Sequence, residues 1–531
     1  MGSSVISTEF LVKPSLTPDS EKPPGGTGVA DSRKFRWPNF VFPALVLSVI
    51  VSLRAWNIGR SPFPNDDEGT YLAQAWAVGH GVGLAHYTYW YDHPPFGWIQ
   101  LSWLAWLPAW LAPDQPTFVQ GRIAMLPVAA AGALLVHLVA RRVGLGRPAA
   151  LGAMLLYGLS PLAVTLNRQI YLDNFAVVWA LAAFALALSP RRHLWHHVAS
   201  GACLAAAVLS KETIVVVLPA LLYALWHGSH PRTRTFSFAG FASGLTLTGM
   251  FYPLYAILKG ELFPGAGHVS LIGSLGFQLG SRAGTGSMFQ PGTEAHTLLN
   301  EWLAADPVLI LGGSAAALAA LTVRRLRPIA LAALILAAVA ARPGGYLPKM
   351  YVIQLLPFLA IALAGIVQAA VRALPGGRVP RIAAAVTVLA TATALLGPVW
   401  YQGDRDAVRT NDTTVYYDAA RWLRAGHIAD PAHTRIVTDG VLWLDAVNAG
   451  FKPGTGVIWH YKLDQDPAIE KTLPHGWRDI DYVVSTPALR GERKNLPTVR
   501  ALLDHSKPVA TFGEGDGRID ILRTDNTKAV R

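Results

Sequence analysis

Apolar runs too long and too numerous for one soluble core limit the folds open to this 531-residue chain. Residues 151–166, 175–188 and 329–341 are examples, and runs of this kind read as membrane spans. Composition agrees, because 15% of residues are charged where a soluble domain carries about a quarter. The net charge of +12 does not argue for nucleic acid as a partner. The Lys and Arg residues fall in short loops between apolar runs, as expected of cytoplasmic loops. Cys203 is the sole cysteine, so no internal disulfide is available.

Residues 1–36 are rich in Ser, Pro, Gly and Thr and read as a disordered cytoplasmic tail, without a cleavable signal. Arg33, Lys34 and Arg36 precede the first span and place the N-terminus inside. Arg54, near the far end of that span, can snorkel outward.

Segment 96–112 decides the topology. It is uncharged and about long enough to cross, yet Trp98, Trp103, Trp106 and Trp110 punctuate it and Pro108 interrupts it. Tryptophan favours the interface, so the segment is expected to lie along the membrane surface. The basic loops 141–147, 191–197, 230–234, 324–327 and 372–381 then all fall inside. If the segment crossed, they would lie outside.

Spans are read at 39–56, 119–140, 149–166, 172–188, 198–209, 213–226, 236–258, 306–323, 329–341, 351–371 and 382–400. The fold class is thus a polytopic α-helical membrane protein of about eleven spans, 37–400, with an outer loop at 57–118. Residues 401–531 are polar enough for a small extracytoplasmic α/β domain. A helix is predicted at 415–425, and strands at 435–438, 482–485, 509–512 and 519–522. The pair 198–209 and 213–226 depends on a tight outer turn at Ser210-Lys211-Glu212.

Chemistry concentrates outside. Asn65-Asp66-Asp67-Glu68 follows the first span, and three adjacent carboxylates are costly at a membrane mouth. Helix capping is one account, with Asn65 as N-cap, Glu68 as its capping-box partner and acids favouring the helix dipole. A carboxylate fixed in this way is also well oriented as a general base.

The residues resemble a known family. Asp67-Glu68 followed by Asp92-His93-Pro94-Pro95-Phe96-Gly97 is similar to the protein O-mannosyltransferases of glycosyltransferase family 39. It is similar also to the aminoarabinose transferases and other bacterial members of the GT-C superfamily. Arg168 to Asp173, Ser210-Lys211-Glu212-Thr213, and Lys349-Met350-Tyr351 with Pro357 agree in order and side. The resemblance covers roughly residues 41–370.

It implies a sugar donor on a polyprenyl phosphate and an acceptor hydroxyl attacking from the outer side with inversion. The acceptor class, whether protein, lipid or glycan, stays open. The high Ala, Gly and Arg content points to a GC-rich bacterium, so the expected location is a bacterial plasma membrane. Asp67 is taken as the base, with Asp66 the alternative. Glu68 would orient the base or bind a sugar hydroxyl. The leaving phosphate calls for cations: Arg168, Lys211 and Lys349 first, then Arg282 and Arg342. Asp173 is expected to pair with Arg168, and Asp92, His93 and Tyr351 to line the substrate site.

No cofactor is assigned. Asp92 and His93 leave a divalent cation open if His268 or His296 joins them. The Gly-rich stretch 282–287 lacks the lysine of a phosphate-binding loop, so ATP is not expected. The reading from another class is a lipid or sugar flippase, against which stand the outer placement of the charges and the lack of a repeat.

Overall fold

The computed structural model describes residues 38–375 and 377–525. The expected tail, with Arg33, Lys34 and Arg36, lies outside them.

Among the described residues, four helices are long and apolar enough to cross a membrane: Thr117–Arg142, Pro231–Leu258, Lys349–Ala373 and Arg378–Leu395. Two bent pairs, Arg147–Gly158 with Pro161–Asn167 and Glu294–Ala305 with Val308–Ala320, raise this to six if each is one span. Five shorter apolar helices of 10–17 residues are Val41–Ala55, Leu172–Ala187, Leu194–Ser210, Glu212–Gly228 and Arg327–Ala340.

Lys349–Ala373 is the axis of the bundle, because 83% of its apolar window is buried, whereas none of the Arg378–Leu395 window is. Around that axis, alanines and leucines of Leu172–Ala187 and Arg327–Ala340 close the core with Phe184 on Phe358 at 5.4 Å. Small residues let backbones touch. A Cβ on Gly201 would stand 2.0 Å from the Phe241 carbonyl, and one on Gly244 would stand 2.1 Å from that of Val198. Close glycine contacts of this kind drive helix association in lipid, where burial of apolar surface gives little.

Segment 96–112 forms two short helices, Phe96–Leu104 and Trp106–Leu111, broken at Ala105. Trp98 is fully buried, while Trp103, Trp106 and Trp110 are 61–76% exposed. One anchored face and one aromatic outer face suit a surface-lying helix pair.

Arg54 does not snorkel. It is buried, and its guanidinium donates to the Gly158 carbonyl at 2.7 Å.

The last long helix runs past Trp400 to Arg409. Beyond it come the helix Thr414–Arg424 and a five-stranded sheet. Its strands are β1 (Ile436–Thr438), β2 (Val457–Trp459), β3 (Tyr482–Ser485), β4 (Ser506–Phe512) and β5 (Ile519–Thr524), in the order β2-β1-β3-β5-β4. β1 runs parallel to both β2 and β3, and β5 is antiparallel to β3 and β4. The sequence reading missed β2, which is only three residues long and too short to show alternation.

This α/β unit shares a core with the outer loop. Phe118 and Val119 pack with Tyr416, Leu442 and Trp443. Polar ties reinforce the contact: Thr117 Oγ1 donates to Asp445 at 2.8 Å, and Thr413 Oγ1 donates to the Gly59 carbonyl at 2.8 Å.

Candidate active site

The acidic corner begins the helix Asp66–Gly79. Asn65 Oδ1 accepts from the Asp67 N–H at 2.9 Å, and Glu68 Oε1 accepts from the Asn65 N–H at 3.1 Å. This is the capping box expected from the spacing. The three carboxylates nevertheless have different occupations.

Glu68 is fully buried and points into the protein. Arg122 holds it through two bonds of 2.8 Å, while Gln169 and the Ile170 N–H donate at 3.0 and 3.2 Å. Five donors saturate its oxygens, counting Asn65, so none is left for a sugar hydroxyl. The sequence expectation of a substrate contact is corrected to an anchoring one.

Asp66 faces the α/β unit. It accepts from the Gly440 N–H and from Trp459 Nε1 at 3.0 Å. Gly440 opens the helix after β1, so the carboxyl ends of the parallel strands rest on the acidic corner. Only glycine allows this approach, because a Cβ on Gly69 would lie 1.9 Å from the Gly440 carbonyl carbon. Burial raises the Asp66 pKa, although both of its hydrogen bonds act the other way.

Asp67 alone of the three accepts no hydrogen bond on its carboxylate from any described residue. It is half-buried. Burial raises its pKa and Asp92 adds to the rise, whereas Lys211, His93 and Arg282 oppose it. Those named charges define the rest of the site.

Lys211 occupies the expected tight turn, extended between the helices Leu194–Ser210 and Glu212–Val217. Its Nζ lies 2.8 Å from His93 Nε2, and His93 Nδ1 lies 3.1 Å from Glu212 Oε2. That geometry fits a neutral imidazole donating from Nδ1 to Glu212 and accepting at Nε2 from Lys211. Tyr89 fixes the loop by donating to the His93 carbonyl at 2.6 Å, and Tyr71 stacks on Trp98 beside it. Asp92 Oδ1 is buried without a partner among the described residues.

Several expected site residues lie elsewhere. Arg168 does not pair with Asp173. Its guanidinium is buried and donates to the carbonyls of Trp56 and Ala407, tying the end of the first helix to the last long one. Carbonyls already take those donors, so Arg168 is corrected from phosphate ligand to structural tie. Asp173 accepts instead from Gln354 at 2.6 Å, and the same Gln354 nitrogen donates to Thr213 at 2.7 Å.

Tyr351 is also corrected. It is buried and donates to the Leu336 carbonyl at 3.2 Å, inside the bundle. Lys349 is exposed and lies 3.7 Å from Glu301, a pair that holds little energy. Arg342 is exposed. Arg282, by contrast, acts on Asp67 and stacks over Tyr346 at 3.5 Å. His268 and His296 each contact a carbonyl of their own loop, Val269 and Met288. Among the described residues, no group of three acidic, histidine or cysteine side chains is placed to hold a metal.

Gln354 and Arg122 were missed as partners, and Glu212, expected to neutralise Lys211, pairs with His93. For Arg122 a signal existed, since a charged residue at the start of an apolar span needs a counter-charge.

The class this fold and site resemble is that of the membrane glycosyltransferases of family 39. More narrowly, residues 92–254 match the family model described as dolichyl-phosphate-mannose-protein mannosyltransferase. Among solved structures, ArnT from Cupriavidus metallidurans in the apo state is similar at a TM-score of 0.58 and 16% identity. That match covers 92% of this chain and 98% of the other. The same protein bound to undecaprenyl phosphate gives 0.56 and 16%, over 91% and 97%. The oligosaccharyltransferase AglB from Archaeoglobus fulgidus, in complex with an inhibitory peptide and a dolichol-phosphate, gives 0.55 and 14%, over 92% and 75%. At such identities the likeness establishes the fold. No curated protein sequence matches the chain.

Proposed function

We propose that this protein transfers a sugar from a polyprenyl-phosphate donor to a hydroxyl acceptor at the outer membrane face. The observation that carries the reading is the Asp67 carboxylate, which accepts no hydrogen bond from any described residue and lies within the influence of the Lys211, His93 and Arg282 charges. In this scheme the acceptor oxygen attacks the anomeric carbon from the side opposite the phosphate. The bond from that carbon to the phosphate oxygen breaks, and the electron pair leaves with the phosphate. Asp67 takes the hydroxyl proton, and the anomeric centre inverts. Lys211 and Arg282 supply the charge that the leaving phosphate needs. His93, braced by Glu212, positions Lys211.

Support for the donor class comes from fold neighbours solved with undecaprenyl phosphate and with a dolichol-phosphate. The test is chemical. Purified protein is incubated with a panel of polyprenyl-phosphate-linked sugars and a mixture of hydroxyl acceptors, and released polyprenyl phosphate is measured by mass spectrometry. Cleavage is expected, and Lys211→Met should slow it at least tenfold. A flippase would instead move the intact lipid-linked sugar across a vesicle without cleaving it, and that result would overturn the proposal.

The topology proposed with it has eleven crossings, the N-terminus cytoplasmic and the α/β unit outside, in a bacterial plasma membrane. It rests on the basic loops sharing one side. A phosphatase reporter fused after Arg409 is expected to be active, and one fused within 144–146 inactive. The reverse pattern would invert the assignment.

A further inference from the structure

Two helices connect the acidic corner with a second cavity. Leu172–Ala187 and Glu212–Gly228 each begin beside the Lys211 site, and their far ends border a pocket of about 530 Å³. Arg142, Arg192, Arg324, Arg325 and His227 line it, and no Asp or Glu does. None of these four arginines has a carboxylate partner among the described residues. Arg142 Nη1 is buried and without a hydrogen-bond partner among the described residues. Connections 141–147, 190–197, 230–234, 324–327 and 372–381 contain no acidic residue at all.

The walls are closely packed, by backbone at Gly228 and by the Arg325 side chain at Gly144. A Cβ on Gly228 would stand 1.9 Å from the Ala187 carbonyl oxygen, and one on Gly144 would stand 3.1 Å from Arg325 Nη1. Four cations lining one pocket repel one another, and an anion bound among them would relieve that repulsion. Guanidinium forks suit phosphate oxygens, which they bind bidentately.

The level of the pocket indicates where that phosphate comes from. Trp195 and Trp226, both more than half exposed, lie in the chain close to the lining residues Arg192 and His227, and Arg234 stacks on Trp226 at 3.9 Å. Exposed tryptophan beside arginine marks the headgroup layer of a bilayer.

We propose that this pocket binds the phosphate of an anionic lipid headgroup and so fastens together the inner ends of four helix connections. The proposal is independent of the glycosyl-transfer reading and is tested without an activity assay. Delipidated protein in neutral detergent is titrated with phosphatidylglycerol, phosphatidylcholine or inorganic phosphate while thermal unfolding is followed. Phosphatidylglycerol is expected to raise the Tm by roughly 2–4 °C, and phosphatidylcholine to leave it unchanged. The Arg142→Gln/Arg325→Gln variant should lose that rise. If this variant does not fold, Arg192→Gln replaces it, with lipids retained per protein counted by native mass spectrometry. Inorganic phosphate matching phosphatidylglycerol would support the phosphate site but make its ligand a soluble anion. No rise in wild type, or an equal rise or equal lipid retention in the variant, would overturn the proposal.

Discussion

Asp67→Asn is expected to reduce sugar transfer by about 10²–10⁴-fold, the usual worth of a general base. The substitution is nearly isosteric and breaks no hydrogen bond on that carboxylate, so unfolding temperature and expression should stay at wild-type values. Loss of rate with intact stability is the signature sought. Near-normal turnover in a reconstituted assay would sink the assignment of Asp67. The same residue governs pH dependence. Its pKa is raised, mainly by burial, and a base works only when deprotonated. The rate should therefore fall with acidification along a limb lying above the ordinary aspartate value of about 3.9. Asp67→Asn should abolish that limb in whatever residual activity remains.

Glu68→Gln acts on stability first. The wild-type carboxylate receives two N–H groups from Arg122 and one each from Asn65, Gln169 and Ile170. Glutamine replaces one acceptor oxygen by a donor in a site filled with donors. It also leaves the fully buried Arg122 guanidinium without its counter-charge. Breaking a buried pair in this way costs about 3–5 kcal/mol. A clear drop in thermal or denaturant midpoint is expected, with activity lost alongside because the Asp67 helix start is no longer anchored. Replacing both partners with leucine should recover part of the stability. A Glu68→Gln variant within about 0.5 kcal/mol of wild type would show that the pair is not an anchor.

The apolar pattern made the bundle legible, since alternation of long uncharged runs and basic loops is a strong signal. The surface placement expected for residues 96–112 rests on tryptophan spacing together with the side on which the basic loops fall. The capping box was likewise readable, because it rests on residues three apart. Assigning work among Asp66, Asp67 and Glu68 was not possible from sequence. Their partners, Gly440, Trp459 and Arg122, lie far along the chain, and the helix turn alone decides which carboxylate faces which. Arg168 misled for a similar reason. A cation at a span end looks like a phosphate ligand until the carbonyls of Trp56 and Ala407 are seen to take its donors.

The contact between Gly69 and Gly440 bears on how this protein can be cut and recombined. The acidic-corner helix and the sheet interlock at backbone distance, and Asp66 is consumed in joining them. A chimera joined at residue 400 would exchange the sheet but keep a corner shaped for a different one. The transferable module is instead loop 57–118 together with residues 410–525, two discontinuous pieces that have to travel as a pair. Deleting the C-terminal unit would accordingly damage the corner that holds Asp67, as well as any surface the unit offers to an acceptor.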